Sequence, residues 1–297
     1  YDKGLATGVV AASGTLGSLI PPSILMILYG IFTEQSIGKL LIAGFIPGVL
    51  SALIYMGMIW VRASINPALA PRPESVTWGE RFRSLKGTWS IIVLFALVMG
   101  GIYLGVVTPT EAAAVGAAGA WGLAALAKRL DKKTAKMSIA ETVTQVASVF
   151  AIVLGAKIFV GFISFTGIAA SLSIWALSLD LPPMGVLLAL SMIYIILGTF
   201  MDPLGIMLLT LPVVTPVVEQ LGYDLIWFGV IMVKLLEIGL ITPPVGLNVY
   251  VLKGVVGDAV PIETIFKGIA WFLAMDVLTL VLLLAFPAIS LWLPNSF

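Results

Sequence analysis

The apolar segment from Leu225 to Val256 is long enough to cross a bilayer, yet Glu237-Ile-Gly-Leu-Ile-Thr-Pro-Pro-Val-Gly-Leu-Asn248 interrupts it. Lipid offers no hydrogen-bond partners, so a membrane helix must satisfy its own backbone. Pro243 and Pro244 supply no N–H, and Gly239 and Gly246 tolerate unusual torsions. The helix is therefore expected to open here and leave bare carbonyls and amides at membrane depth. Such a break is tolerated only where it is buried in protein or lines a wet cavity. A second version, Gly14-Thr-Leu-Gly-Ser-Leu-Ile-Pro-Pro-Ser23, lies near the start of the chain. Two broken helices in corresponding positions of two halves are the best sequence pointer to the binding site of a secondary transporter.

Composition supports a membrane chain: 60% of residues are hydrophobic, 10% are charged, and the mean hydropathy is +1.12. With no Cys, disulfides and thiolate metal sites are excluded. With no His, imidazole relays, His-ligated metals and a Ser-His membrane protease are excluded as well. No G-x-x-x-x-G-K-[ST] is present, so a P-loop nucleotide site is absent. The net charge of +1 gives no sign of a nucleic-acid partner. The chain begins at Tyr1 and runs straight into apolar sequence, which reads as the C-terminal portion of a longer membrane protein.

Along the chain, Leu5 to Phe32 reads as a first crossing, broken at Gly14–Ser23. Glu34 to Lys39 is a polar connection and Leu40 to Val61 a continuous span. Arg62 to Lys86 is the longest polar segment, where Pro67, Pro71 and Pro73 block regular helix. It sets Arg62, Arg72, Arg81, Arg83 and Lys86 against Glu74 and Glu80. Thr88 to Val107 reads as a third span. Thr108-Pro-Thr-Glu111 reads as a helix start with a capping box, and Ala112 to Ala127 as an Ala/Gly-rich fourth span suited to close packing. Lys128, Arg129, Lys132, Lys133 and Lys136 form a second basic stretch, read as a topology signal. The two basic segments flank a pair of spans, so they share one side. By the positive-inside rule that side is cytoplasmic.

Glu141 to Phe165 is expected to run outward as a fifth span. Ile168 to Leu179, with Trp175 and the polar end Asp180-Leu-Pro-Pro183, reads as an interfacial helix. Met184 to Leu197 has only 14 residues. That is about 21 Å of helix, short for a hydrocarbon core of about 30 Å. Leu204 to Leu221 follows, with Pro212 and Pro216 inside it. Residues 184–221 are therefore expected to form a re-entrant hairpin with Gly198–Pro203 at its tip. The broken helix of 225–256 then runs inward, Gly257 to Lys267 connects on the cytoplasmic side, and Ile269 to Leu293 leaves the C-terminus outside, with Trp292 at the boundary.

The two breaks belong to an internal repeat. Pro21 stands 23 residues before Gly44, and Pro243 stands 25 residues before Gly268. The sides assigned above run the first copy outward and the second inward. The expected architecture is an all-α polytopic membrane protein of inverted repeats, with 1–107 ending the first repeat and 108–297 forming the second. Inverted repeats let one unit move against the other and alternate access. The first copy's hairpin would lie upstream of Tyr1.

Hard oxygen donors at the breaks suit a cation such as sodium. One expected site joins Gly198, Thr199 and Asp202 of the hairpin tip to Thr242, Pro243 and Gly246. The other uses Gly14, Gly17, Ser18 and Ser23 against the missing hairpin. Half-helix N-termini attract an anion, so Thr15, Pro22, Ser23, Thr242 and Asn248 are the candidate substrate contacts. Asp202, an ionisable group near mid-membrane, is a functional candidate. Standing before Pro203, it is equally an N-cap. Lys234 and Glu237, three residues apart on one helix, are expected to neutralise each other. Lys157 and Asp276 read as lone intramembrane charges, and Glu111 as a capping residue.

At these motifs the chain resembles the large membrane subunit of tripartite ATP-independent periplasmic (TRAP) transporters. The matching stretches are Gly14-Thr-Leu-Gly-Ser-Leu-Ile-Pro-Pro-Ser23, Ala43-Gly-Phe-Ile-Pro-Gly48, Thr108-Pro-Thr-Glu-Ala-Ala113, Gly198-Thr-Phe-Met-Asp202, Trp227-Phe-Gly229 and Glu237–Asn248. The resemblance implies an elevator-type carrier of the ion transporter superfamily in a bacterial or archaeal inner membrane. It would carry two hairpins and two sodium sites, with sodium as coupling ion and no other cofactor. The implied partners are a small four-helix membrane subunit and a soluble periplasmic binding protein. That protein would deliver an organic acid, such as a C4-dicarboxylate or sialic acid. Two other readings stand beside it: an uncoupled channel or structural subunit, and an intramembrane aspartyl protease. The protease would need two facing aspartates, usually one in a Gly-x-Gly-Asp setting, and Asp202 follows Thr-Phe-Met instead.

Overall fold

The computed structural model describes residues 1–71, 77–85, 87–178 and 181–296, apart from the side chains at 84, 85, 169, 172, 173, 176 and 177. All regular structure among them is helical. Contacts divide the chain into two compact units, Tyr1–Pro71 with Ala156–Phe297, and Arg72–Gly155.

The Arg72–Gly155 unit holds α4 (Trp78–Leu85), α5 (Trp89–Tyr103), α6 (Pro109–Leu126) and the first part of α7 (Lys132–Thr166). The starts of α4, α6 and α7 have a chemical cause. The Thr77 amide and hydroxyl both donate to Glu80 at 2.8 Å, and these bonds hold the Glu80 carboxyl below the usual carboxylate range. The capping box expected at Thr108 is present. The Thr108 amide donates to Glu111 Oε2 at 2.8 Å, and the Glu111 amide returns to Thr108 Oγ1 at 3.3 Å. Asp131 accepts from the Thr134 amide at 2.6 Å and so starts α7 inside the basic stretch. Lys132, Lys133 and Lys136 are therefore helical, and α7 begins nine residues before the expected Glu141. Lys, Ala and Met favour helix, so nothing stops the turn from extending past the apolar boundary. The third span is shorter than expected, 15 residues ending at Tyr103, because Gly105 takes a left-handed φ of 67°. Arg72, Pro73, Glu74, Lys86, Leu179 and Asp180 lie outside the described residues.

The larger unit contains α1 (Lys3–Thr15), α2 (Ile24–Thr33), α3 (Ile37–Ile65), the end of α7, α8 (Ile168–Leu177), α9 (Pro183–Gly198), α10 (Pro203–Gln220), α11 (Leu225–Ile241), α12 (Leu247–Val256), α13 (Ile262–Ala285) and α14 (Ala288–Leu291). Among the described residues α3, α7, α10 and α13 are long and apolar enough to cross a membrane. α9 and α10 form the expected helical pair, with Thr199–Asp202 between them, and Tyr194 OH meets Thr210 Oγ1 at 2.5 Å across it. Pro212 and Pro216 lie inside α10 without ending it. The last expected span stops early, at Ala285, and α14 follows Pro287 as a separate short helix.

Apart from Lys234 and Glu237, α11 is apolar all round, as befits a helix with neighbours on every side. Every residue in it except Ile226 and Leu240 is buried. α2, α3, α9, α10, α12 and α13 all pack against it. Trp227 Nε1 donates to the Leu283 carbonyl at 3.0 Å, and Tyr29 OH to the Leu225 carbonyl at 2.7 Å. α1 lies along α13, and the approach is close enough that a Cβ on Gly8 would fall 2.8 Å from the Gly268 carbonyl.

Candidate functional site

Both double-proline segments open as the sequence requires. α1 stops at Thr15, a single 3-10 turn covers Leu16–Ser18, and helix resumes at Ile24. α11 stops at Ile241, Thr242 is extended, Gly246 takes φ 58°, and helix resumes at Leu247. The Pro21–Pro22 and Pro243–Pro244 bonds are both cis. At the first break the Ser23 hydroxyl donates to the Ser18 carbonyl and accepts from the Met26 amide at 3.3 Å, capping α2.

The breaks approach one another through neighbouring elements. Asn248, at the start of α12, donates from Nδ2 to the Ala11 carbonyl of α1 at 3.4 Å. Gly14 and Asn248 share an open cleft of about 330 Å3 with Val10, Ala11, Val251, Leu252 and Val255. The hairpin tip meets α11 just ahead of the second break: a Cβ built on Gly198 would lie 2.8 Å from Gly239 Cα. Only glycine at both positions permits this backbone contact.

The other candidates are placed as follows. Thr199 is buried and its hydroxyl donates to the Ile196 carbonyl at 2.7 Å. Thr242 donates to the Ile238 carbonyl at 2.6 Å, and Thr15, fully buried, to the Ala12 carbonyl at 2.7 Å. A hydroxyl bonded back to its own helix keeps oxygen lone pairs for another partner. Gly246 is buried, Ser18 half-buried, and Gly14, Gly17, Pro22 and Pro243 are exposed. Asp202 is exposed and caps α10, accepting at Oδ2 from the Leu204 amide at 3.0 Å and the Gly205 amide at 3.3 Å. No hydrogen bond among the described residues joins Asp202 to the second break.

Behind the breaks lies a cluster that sequence spacing revealed only in part. Lys234 Nζ sits 3.2 Å from Glu237 Oε2, as expected, but also 2.6 Å from Asp276 Oδ1. Asp276 is therefore not a lone charge. Its partner stands 42 residues earlier on another helix, beyond the reach of any i,i+3 rule. Tyr55 OH donates to the same Asp276 oxygen at 2.6 Å, and Ser51 Oγ lies 3.4 Å from Lys234 Nζ. All three charged side chains are fully buried. The cluster ties α3, α11 and α13 together and touches the first break, because the Leu19 amide lies beside Glu237 and the Thr15 hydroxyl beside Tyr55. One signal could have pointed to it: two acids and one lysine in apolar helices leave a charge that must be matched elsewhere. Lys157, the other intramembrane charge, lines a separate cleft of about 430 Å3 with Glu34 and Thr215.

Interrupted helices converging on a buried charge cluster, in a chain that crosses the membrane several times, define the class: a membrane transporter. The family model described as tripartite ATP-independent periplasmic transporter, DctM component, matches residues 1–289. The chain belongs to this family, the large permease subunits of TRAP transporters, and is a multi-pass inner-membrane protein. It is 38% identical over 99% of its length to the C4-dicarboxylate TRAP transporter large permease protein DctM of Pseudomonas aeruginosa, covering 68% of that protein. Its identity to the sialic acid TRAP transporter large permease protein SiaM of Vibrio cholerae is 33%, over 100% of this chain and 69% of the relative. With the ectoine TRAP transporter large permease protein TeaC of Halomonas elongata the identity is 31%, over 99% of this chain and 68% of the relative. All three relatives are named as permeases, none as an enzyme.

Proposed function

We propose that this chain is the translocating part of a sodium-driven importer of a small organic acid, handed over by a periplasmic binding protein and completed by a small four-helix membrane subunit. The observation that carries the reading is the meeting of the two interrupted helices, α1 with α12 at Ala11–Asn248 and the hairpin tip with α11 at Gly198–Gly239. Opened helix ends supply carbonyl oxygens that hold a hard cation. One sodium ion would sit among Gly198, Thr199, Asp202, Thr242, Pro243 and Gly246, another among Gly14, Gly17, Ser18 and Ser23. The N-termini of α2 and α12, at Ser23 and Asn248, point partial positive charge at an anion, with Thr15, Pro22 and Thr242 as further candidate contacts. The named solutes of the three relatives differ but each carries a carboxylate, which supports an organic acid and leaves its identity to the binding protein and pocket. Inverted repeats and an elevator-like movement would alternate access.

Uptake into proteoliposomes holding the complete partner set tests this. An imposed sodium gradient is expected to drive accumulation, and a potassium gradient is not. Asp202→Asn and Thr242→Val are expected to raise the sodium concentration needed for half-maximal uptake several-fold while the protein stays folded, since Asn also caps a helix. Unchanged sodium dependence in both removes the site assignment, and uptake that runs downhill without any ion gradient favours an uncoupled channel.

A further inference from the structure

The ionisable groups buried around α11 do not pair one to one: a single lysine faces two acids. With both acids ionised, Lys234 brings one positive charge and Glu237 and Asp276 two negative ones, all at zero exposure. Lys234 and Tyr55 both use Oδ1 of Asp276, and Lys234 uses Oε2 of Glu237, so Oδ2 of Asp276 and Oε1 of Glu237 have no hydrogen-bond partner. An excess charge without solvent is costly unless a counter-charge lies nearby. A metal ion inside the cluster would collide with the Lys234 ammonium, already 2.6 and 3.2 Å from the two carboxylates. The space beside it is different. The Leu19 amide, within Gly14–Ser23, lies beside Glu237, and Thr15 lies beside Tyr55. Ionised, the second acid places an excess negative charge directly behind the first break.

We propose that the Lys234–Glu237–Asp276 cluster is the fixed counter-charge for a monovalent cation held at the Gly14–Ser23 break. It ligates nothing. It sets the cation's affinity from behind, through its net charge, and so acts as a positioning group. This rests on the sodium reading above. At roughly 10 Å and an effective dielectric constant of about 20, one elementary charge changes cation affinity about tenfold. A cluster that served only as a strut between α3, α11 and α13 would respond to the loss of any member in the same direction. A counter-charge responds with a sign.

The test measures sodium binding as the rise in melting temperature of the purified full-length transporter with increasing sodium, choline chloride holding ionic strength constant. Glu237→Gln and Asp276→Asn bring the cluster to neutrality and are expected to weaken sodium binding about tenfold. The double variant Lys234→Met with Glu237→Gln restores one net negative charge and is expected to bind sodium within about twofold of the parent. Lys234→Met alone, with two negative charges, is expected to bind more tightly. Should that variant fail to fold, the comparison of Glu237→Gln with the double variant decides. A double variant as weak as Glu237→Gln, or single acid variants that bind like the parent, overturns the counter-charge. A parent protein that sodium does not stabilise at all overturns the sodium reading as well, so the two failures are told apart.

Discussion

At the scale of single residues, the molecule depends on a few side chains and on a few places where none fits. Lys234 bridges two acids in a medium that tolerates none of them alone, and removing one partner of such a buried set typically costs about 3–5 kcal/mol. The Gly198–Gly239 contact is the opposite case, in which a missing side chain makes the fit. A Cβ on Gly239 would lie 2.5 Å from Gly198 Cα, and neither backbone can yield cheaply. Gly239→Ala should therefore destabilise the protein by about 1–3 kcal/mol. Gly254→Ala, where nothing lies within 4 Å, should instead stabilise α12 by about 0.5–1 kcal/mol. Melting temperatures in detergent compare the two, and equal shifts would contradict the close contact. Lys234 and Glu237 were legible as a pair because both lie on one helix. Asp276, Tyr55 and Ser51 were not, because their meeting depends on how three helices are rotated.

At the scale of elements, the two breaks follow from local chemistry. Proline removes a donor and glycine removes a steric barrier wherever they stand, so both interruptions could be read before any helix was placed. The Thr108 box and the Asp202 cap are local in the same way. Ser23 does two jobs, holding the Ser18 carbonyl and capping α2. Ser23→Ala should lower stability by about 1 kcal/mol, readable as a lower melting temperature, whereas Ser23→Asn, another capping residue, should recover most of it. An alanine variant as stable as the parent would mean the cap is not formed. Element lengths were less legible. α7 begins nine residues earlier than hydropathy suggests because helix propensity does not end where apolar sequence does. α5 ends sooner because Gly105 turns the chain.

At the scale of the whole molecule, orientation follows from charge. The basic stretch around Lys128–Lys136 is expected on the cytoplasmic face and the C-terminus on the opposite one. The chain contains no cysteine, so single cysteines report without background. Lys133→Cys and Asn295→Cys, both at exposed positions, should react with a membrane-impermeant thiol reagent from opposite sides of sealed vesicles. Labelling of both from one side would overturn the expected inverted arrangement of the repeats.

The amino-acid sequence alone determined that this chain lives in a bilayer, where its helices must break, and which family it resembles. Each of these depends on hydropathy, on missing N–H groups or on short motifs, all carried by neighbours along the chain. Only the tertiary structure decided that Asn248 reaches Ala11, that the hairpin tip rests on Gly239, and that Asp276 joins Lys234 and Tyr55 beside the first break. Apart from Lys234 and Glu237, α11 is apolar on every face, so its pattern does not say which face meets which helix. Packing among distant segments made that choice.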